Sequence, residues 1–316
     1  MIDPESLLTV LKFRAFLFMA IKVFKSFNDQ INILKSRGLI ISNEKQVENV
    51  LKNENYYRLS GYFKLFSKTG SDDFVEKTTF KKILAVYEFD EKLRILLDEF
   101  LVRIEINART RIAYNFARTL SPDGYMDVTN FIDSNKHNVF ITNINKEIGK
   151  NQRNPIIKRY NGVNLPIWCL VEFLTFGTLS KMYANLSKTN KIAISNAPDY
   201  IKKYNYVEYG NLLLMVTNLR NICAHHSRLY GNKFPYGLSL STSDTNLFVK
   251  HGASLPTTST STPFELIFTV FKLLQSKKEK KLLVKRLKFL FFKYRHYIDI
   301  SKLGFITKWY KVYLEC

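Results

Sequence analysis

The sequence predicts an all-α protein, and three observations carry that expectation. Glycine and proline are sparse, at 12 and 8 in 316 residues, so there is little turn chemistry for a many-stranded fold. Apolar residues make up 46% of the chain, enough for one large core or two smaller ones. Those residues recur at spacings of three, four and seven, the period of an amphipathic helix.

The elements follow in order. "LLTVLKFRAFLFMAIKVFKSF", near the start, is apolar but interrupted by Lys12, Arg14 and Lys22. Its longest uncharged run, Ala15 to Ile21, is far short of the ~20 residues a spanning helix needs. A basic amphipathic helix without stable membrane insertion is expected there. "NDQINILKSRG" reads as a helix stopped by Gly38, with Lys35 and Arg37 in its last turn. Asn43, with Gln46 three residues on, opens the next helix, which turns Val47, Val50 and Leu51 inward. "NENYYRLSGYFKLF" is aromatic-rich, and Gly61 is its expected break.

Phe80 to about Leu120 holds the longest helical pattern, with Ile83, Val86, Leu93, Leu97, Leu101 and Ile104 on one face. "SPDG" at Ser121–Gly124 ends it. Arg94, Asp98, Glu105 and Arg109 form a polar stripe along it. Such a stripe is either a solvated face laced by i,i+4 pairs or the lining of a polar site between helices. Residues 125–164 read as loop with one short helix. "LPIWCLVEFLTFGTLSKMYANL" reads as a single helix with Pro166 in its first turn and Glu172 as its only acid, on the rim or paired with a base. Tyr206 to about Ser227 is a further helix. The Ser/Thr-rich stretch 241–263 reads as loop. Thr262, Pro263 and Glu265 then supply N-cap, N1 proline and N3 glutamate for a helix over Phe264–Gln275. "KKEKKLLVKRLKFLFFKYRHY" completes the order as a basic amphipathic helix. The expected organisation is an N-terminal extension (1–27), a helical domain (28–240), a loop (241–263) and a basic helical region (264–316) packed on the same domain.

Charge narrows the partner. Lys+Arg total 48 against 27 Asp+Glu, a net +21. Such a chain attracts polyanions, either nucleic acid or an anionic membrane, although a lysine-rich codon bias raises the same total. The last basic helix interleaves Lys281, Lys285, Arg286, Lys288, Lys293 and Arg295 with Phe289, Phe291, Phe292 and Tyr294. That pattern suits either a solvated face or RNA backbone contact with base stacking. Cys169, Cys223 and Cys316 are odd in number and far apart, which suggests neither a disulfide framework nor a zinc ribbon and fits a reducing cytoplasm.

One short stretch carries chemistry. "NLRNICAHHSRLY", Asn218 to Tyr230, follows the wholly apolar Leu212–Val216. Metal-independent RNA cleavage needs a base for the 2′-hydroxyl proton, an acid for the leaving 5′-oxygen and a cation for the phosphorane charge. Histidine suits proton transfer because its unperturbed pKa is about 6.5. Arginine suits the phosphate because its fork matches the oxygens and it stays protonated. Arg220 and His225 supply one of each, and Asn221 adds a neutral donor and acceptor. On a straight helix they lie roughly 140° apart around the axis and about 7.5 Å apart along it. Spacing alone therefore leaves several readings open: a helix that loosens at its end, an arginine that wraps round, a site shared across a homodimer, or only the basic end of a helix dipole. No cysteine or carboxylate spacing accompanies His225 and His226, so neither a metal nor another cofactor is expected.

The stretch has company. "LKSRGLIISNEKQVENVLKNENYYRLSGYFKLF" (34–66), "YEFDEKLRILLDEFLVRIEINARTRIAYNFA" (87–117), "LPIWCLVEFLTFGTLSKMYANL" (165–186) and "LRNICAHHSRLYGNKF" (219–234) occur in that order. Together they resemble the Abi-like family, the AbiD/AbiF branch of abortive-infection proteins. "SKLGFITKWYKVY" resembles that family's closing segment. The family is similar to the HEPN superfamily of helical ribonucleases, whose arginine–polar–histidine signature Arg220, Asn221 and His225 match. The resemblance implies a helical bundle, dimeric active sites, metal-independent RNA cleavage leaving a 2′,3′-cyclic phosphate, and association with a structured noncoding RNA. His226, Arg228, Glu105, Arg109 and Glu172 are the candidate supporting residues. The pattern departs from the His-x-Tyr element that some HEPN toxins carry, because Tyr230 follows His226 by four.

Overall fold

The computed structural model describes residues 23–162, 165–257 and 259–316. The N-terminal helix expected before residue 23 lies outside them. The fold is all-α: the described residues form fourteen α-helices and four short 3-10 helices, and among them pairing is limited to isolated bridges such as Ile40 with Thr79. The chain divides into two compact units, one ending at Leu84 and the other spanning Ala85–Cys316.

The first unit begins with α1 (Phe27–Ser36), opened by a capping box between Ser26 and Asp29. Gly38 stops the chain behind it at φ 85°, a conformation glycine adopts without a steric penalty. Helix α2 (Glu44–Glu54) is capped by the Asn43 side chain, which accepts from the Gln46 N–H, and it buries Val47 and Leu51; Val50 is only half-buried. Gly61 does not break the next helix. It lies inside α3 (Tyr56–Phe63), where Leu59, Tyr62 and Phe63 are buried and outweigh its poor propensity.

Helix α4 (Phe80–Thr119) is the 40-residue element the periodicity predicts. The segment beyond it is more ordered than expected. Its loop reading is corrected by α5 (Ser134–Lys150), capped by Asp133, and by α6 (Pro155–Arg159), capped by Asn154 with proline at N1. Polar asparagines masked α5, yet His137, Phe140 and Ile144 follow a helical spacing and are buried. The His137 ring bonds the Tyr125 carbonyl at 2.9 Å.

The single helix expected from Pro166 is instead two. Helix α7 (Ile167–Leu170) ends in a turn, and α8 (Phe176–Asn185) restarts where the Thr175 hydroxyl accepts from the Thr178 N–H. Helix α9 (Lys188–Ser195) follows. Helix α10 (Tyr206–Ala224) is the spine of the second unit and packs against α8, α9 and, further along the chain, α12 (Pro263–Leu273). The Ser/Thr-rich stretch also holds a helix, α11 (Thr242–Lys250), whose start is set by Ser241 capping Asp244. Serine and threonine there act as caps rather than as loop filler.

Thr262, Pro263 and Glu265 open α12 as the sequence predicts. This helix is apolar nearly all round and buried nearly all round. Its one cation, Lys272, is neutralised by Glu208 and Asp244, each at 2.9 Å. Helices α13 (Lys277–Tyr294) and α14 (Trp309–Glu315) finish the unit, with Phe291, Phe305, Trp309 and Tyr313 stacked edge to face between them.

Candidate functional site

The site forms where the end of α10 meets the middle of α4. Helix α10 stops at Ala224, and His225 is its C-cap residue, at φ −90° and ψ 8°. His226 follows at φ 56°, in the left-handed region. Its N–H donates to the Cys223 carbonyl at 3.1 Å, and the Ser227 N–H donates to Ile222 at 2.9 Å. Those two bonds are the pair that closes a helix when glycine occupies this position. A histidine there costs on the order of 1 kcal/mol, so the surrounding structure must hold the turn.

Asp90, on α4, holds it. One carboxylate oxygen accepts from Arg94 at 2.5 Å and from the Leu229 N–H at 3.1 Å, and the other accepts from the Tyr230 N–H at 2.8 Å. Both side chains are almost fully buried, 0% and 2% exposed. Arg94 is therefore not part of a solvated stripe. Tyr230 extends the clamp: its hydroxyl donates to the Asp299 carbonyl at 3.2 Å and accepts from the Asp299 N–H at 2.8 Å.

The other half of the polar stripe behaves differently. Glu105 bridges two arginines: Arg109 at 2.5 Å through one oxygen, and Arg220 Nε at 3.2 Å through the other. Arg109 also donates to the Val171 carbonyl, which fixes the turn after α7 against α4. Glu105 and Arg109 are mostly buried, whereas Arg220 is 39% exposed. Two guanidinium groups on one carboxylate leave a local excess of positive charge at a solvent-facing position, suited to an oxyanion.

The sequence-predicted residues divide accordingly. Arg220, Glu105 and Arg109 are joined directly. His225 and His226 are exposed on the turn, and Asn221 is half-buried one turn before His225. Among the described residues neither Asn221 nor His225 makes a side-chain hydrogen bond or ion pair. Arg228 bonds the Asn232 side chain at 2.6 Å within the next turn. Glu172 is exposed and lies at the edge of a cavity beside Arg109's turn. Cys223, behind the motif, is buried, and burial pushes its thiol up to about 12, so it stays an inert thiol. Among the described residues no group of three or more histidines, cysteines and carboxylates is placed to hold a metal ion.

On α13, Lys281, Lys285, Lys288 and Lys293 are exposed, as are Phe289 and Phe292, and so is the C-cap residue Arg295. Arg295 stacks over Phe292 at 4.1 Å and Lys288 over Tyr310 at 3.4 Å. Arg286 instead pairs with Glu99 of α4.

Sequence reasoning missed Asp90 and the Arg109–Val171 bond. Asp90 was legible as an acid four residues before Arg94. No local signal marks a carbonyl acceptor sixty residues away.

The fold and this site define a class: an all-helical protein that presents an arginine and a histidine at the end of a buried helix. The chain belongs to the Abi-like protein family, whose sequence model matches residues 49–231, and that membership associates it with abortive infection. The match includes Asp90, Arg94, Glu105, Arg109, Arg220 and His225. No curated protein and no solved structure matches the chain. Among the described residues no helix is long and apolar enough to cross a membrane.

Proposed function

We propose that the protein is a metal-independent endoribonuclease of the HEPN type acting in bacteriophage defence in the cytoplasm. The observation that carries this reading is the Glu105-bridged pair Arg109–Arg220 beside an exposed His225, within a basic Abi-like chain. The arginines hold the scissile phosphate. A histidine takes the proton of the 2′-hydroxyl as its oxygen forms a bond to phosphorus. A second histidine protonates the 5′-oxygen as its bond to phosphorus breaks, leaving a 2′,3′-cyclic phosphate and a 5′-hydroxyl. Asn221 orients the phosphate.

Two proton-transfer groups are needed, and one chain carries the motif once. A second copy supplies the other histidine. The surface favours this. Ile95, Val102 and Ile106 are 66%, 50% and 58% exposed on α4, and helical geometry puts them within roughly 100° of Glu105 and Arg109. An apolar stripe edging a charged cleft is the composition of an interface.

The test is cleavage of RNA in excess chelator by wild type, Arg220→Ala and His225→Ala. Loss in both variants, with cyclic-phosphate ends from the wild type, is the expected result; equal activity in all three overturns the assignment. Val102→Asp with Ile106→Asp gives monomers by light scattering, with cleavage lost alongside.

A second reading is favoured by the α13 surface. Phe289 and Phe292, 68% and 63% exposed among lysines, suit a protein that holds a structured noncoding RNA without turning it over. RNA of one defined size co-purifying with a protein that cleaves nothing selects it.

A further inference from the structure

A cavity of about 500 Å³ opens beside the arginine cluster, and its lining includes Ala113, Tyr114 and Arg118 of α4 and Trp168, Val171 and Glu172 from α7 and its following turn. Arg118 pairs with Asp199 at 2.5 Å and lies over the Tyr114 ring at 5.7 Å. Two of the lining residues are aromatic side chains with unusually large exposure, Tyr114 at 55% and Trp168 at 50%. Scattered apolar residues on a surface need no explanation. Two aromatics in one polar-rimmed cavity offer stacking surface for a flat ring.

The cavity is linked to the candidate site by a chain of polar contacts. The Val171 carbonyl in its wall accepts from Arg109, Arg109 pairs with Glu105, and Glu105 pairs with Arg220. Ala113 lies about two helical turns beyond Glu105, roughly 12 Å along α4. A nucleotide flanking a phosphate held at Arg220 therefore reaches the cavity.

Glu172 gives the cavity its selectivity. Its carboxylate is exposed at the rim, and among the described residues it makes no side-chain hydrogen bond or ion pair. A carboxylate is acceptor-only and holds two acceptors side by side. The other charge in the lining, Arg118, is already paired with Asp199, whereas the Glu172 carboxylate repels phosphate, so the group it faces is a base edge with adjacent N–H donors. Guanine offers two neighbouring donors, N1–H and the N2 amino group. Adenine and cytosine each set one amino group beside a ring acceptor. Uracil flanks its single N–H with two carbonyls, which a carboxylate opposes.

The geometry points to this cavity as a guanine-binding subsite for single-stranded RNA, with Trp168 and Tyr114 stacking the base and Glu172 reading its edge. The assignment rests on the ribonuclease reading for the position of the phosphate, but its test does not depend on turnover. The protein has two tryptophans, and the other, Trp309, is buried. Tryptophan fluorescence is therefore titrated with the 5′-monophosphates of guanosine, adenosine, cytidine and uridine.

Saturable quenching by the guanosine nucleotide is expected. Affinity over the other three should be roughly tenfold or more, the discrimination of one bidentate base contact. Glu172→Gln should erase that preference while leaving the stacking signal. Equal quenching by all four nucleotides, or a preference unchanged in Glu172→Gln, overturns the guanine assignment. No saturable quenching by any of them overturns the subsite. Arg220→Ala is expected to abolish cleavage and leave guanosine quenching intact. Intact quenching in a wild-type protein that cleaves no RNA would overturn the nuclease reading and keep the base site.

Discussion

Helix α4 carries two acid–arginine pairs of the same spacing, Asp90–Arg94 and Glu105–Arg109, and both reach the end of α10. Their environments differ. Asp90 and Arg94 are sealed from water, and the carboxylate spends its remaining lone pairs on the Leu229 and Tyr230 backbone. Glu105 and Arg109 are 13% and 12% exposed, and the second carboxylate oxygen reaches a side chain, Arg220, that opens to solvent. A buried pair that grips backbone fixes geometry. A pair that shares its acid with a second, exposed cation presents charge. One motif thus serves as a clamp at one end and as a charge cradle at the other, and burial decides which.

That contrast sets the size and kind of each expected effect. The largest belongs to the open end: His225→Ala is expected to lower RNA cleavage by roughly 10²–10⁴-fold with the melting temperature unchanged. A parallel loss of stability would mean that His225 belongs to the clamp. Asp90→Ala should do the reverse. Removing one partner of a buried ion pair costs about 3–5 kcal/mol, and here two backbone N–H groups lose their acceptor as well. Urea denaturation measures it, and a change below about 1 kcal/mol would put the pair in the class of surface bridges.

Glu105→Gln tests the cradle more gently. It keeps the shape and removes the charge that orients Arg109 and Arg220, so cleavage should fall by about tenfold, equivalent to roughly 1.4 kcal/mol. A loss as large as that of His225→Ala would place Glu105 among the reacting groups. His226→Gly relieves the left-handed histidine and should stabilise the protein by roughly 0.5–1 kcal/mol, by thermal melting. Its effect on cleavage separates a histidine kept for chemistry from one tolerated by the turn.

Away from the site, a pH trend is expected in the neighbourhood of another arginine. Arg111 is fully buried among Tyr200, Tyr204 and Tyr209 and grips the Lys202 carbonyl at 2.9 Å. Burial, with Lys280 nearby, pulls the Lys202 ammonium down to about 7. The unfolded chain keeps that proton to about 10.4, so between the two values the unfolded state binds more protons. Stability should therefore rise with pH from about 7 upward. Lys202→Met should flatten the rise in melting temperature across that window, and an unchanged slope would assign the trend elsewhere. Any pH profile of cleavage is read against this background.

Much of the fold is legible along the chain. The period of Ile83 to Ile104 gives α4, Gly38 stops α1, and Thr262, Pro263 and Glu265 start α12. These are local effects: a side chain and the backbone within four residues decide them. Errors fall where local chemistry is ambiguous. Asparagines hid α5, serines and threonines hid α11, and Thr175 divided a run whose apolar pattern reads as continuous.

The sequence by itself determined the all-α class, the positive field and the Arg220–His225 spacing, because composition and helical period are properties of a chain. Tertiary structure alone decided which carboxylate each arginine meets. It turned Asp90 into a backbone clamp and Glu105 into a bridge between Arg109 and Arg220, and it set Trp168 and Glu172 beside α4. Those outcomes depend on burial and on contacts between residues far apart in sequence. The energy of a charge pair changes severalfold with its surroundings, and no spacing rule contains that information.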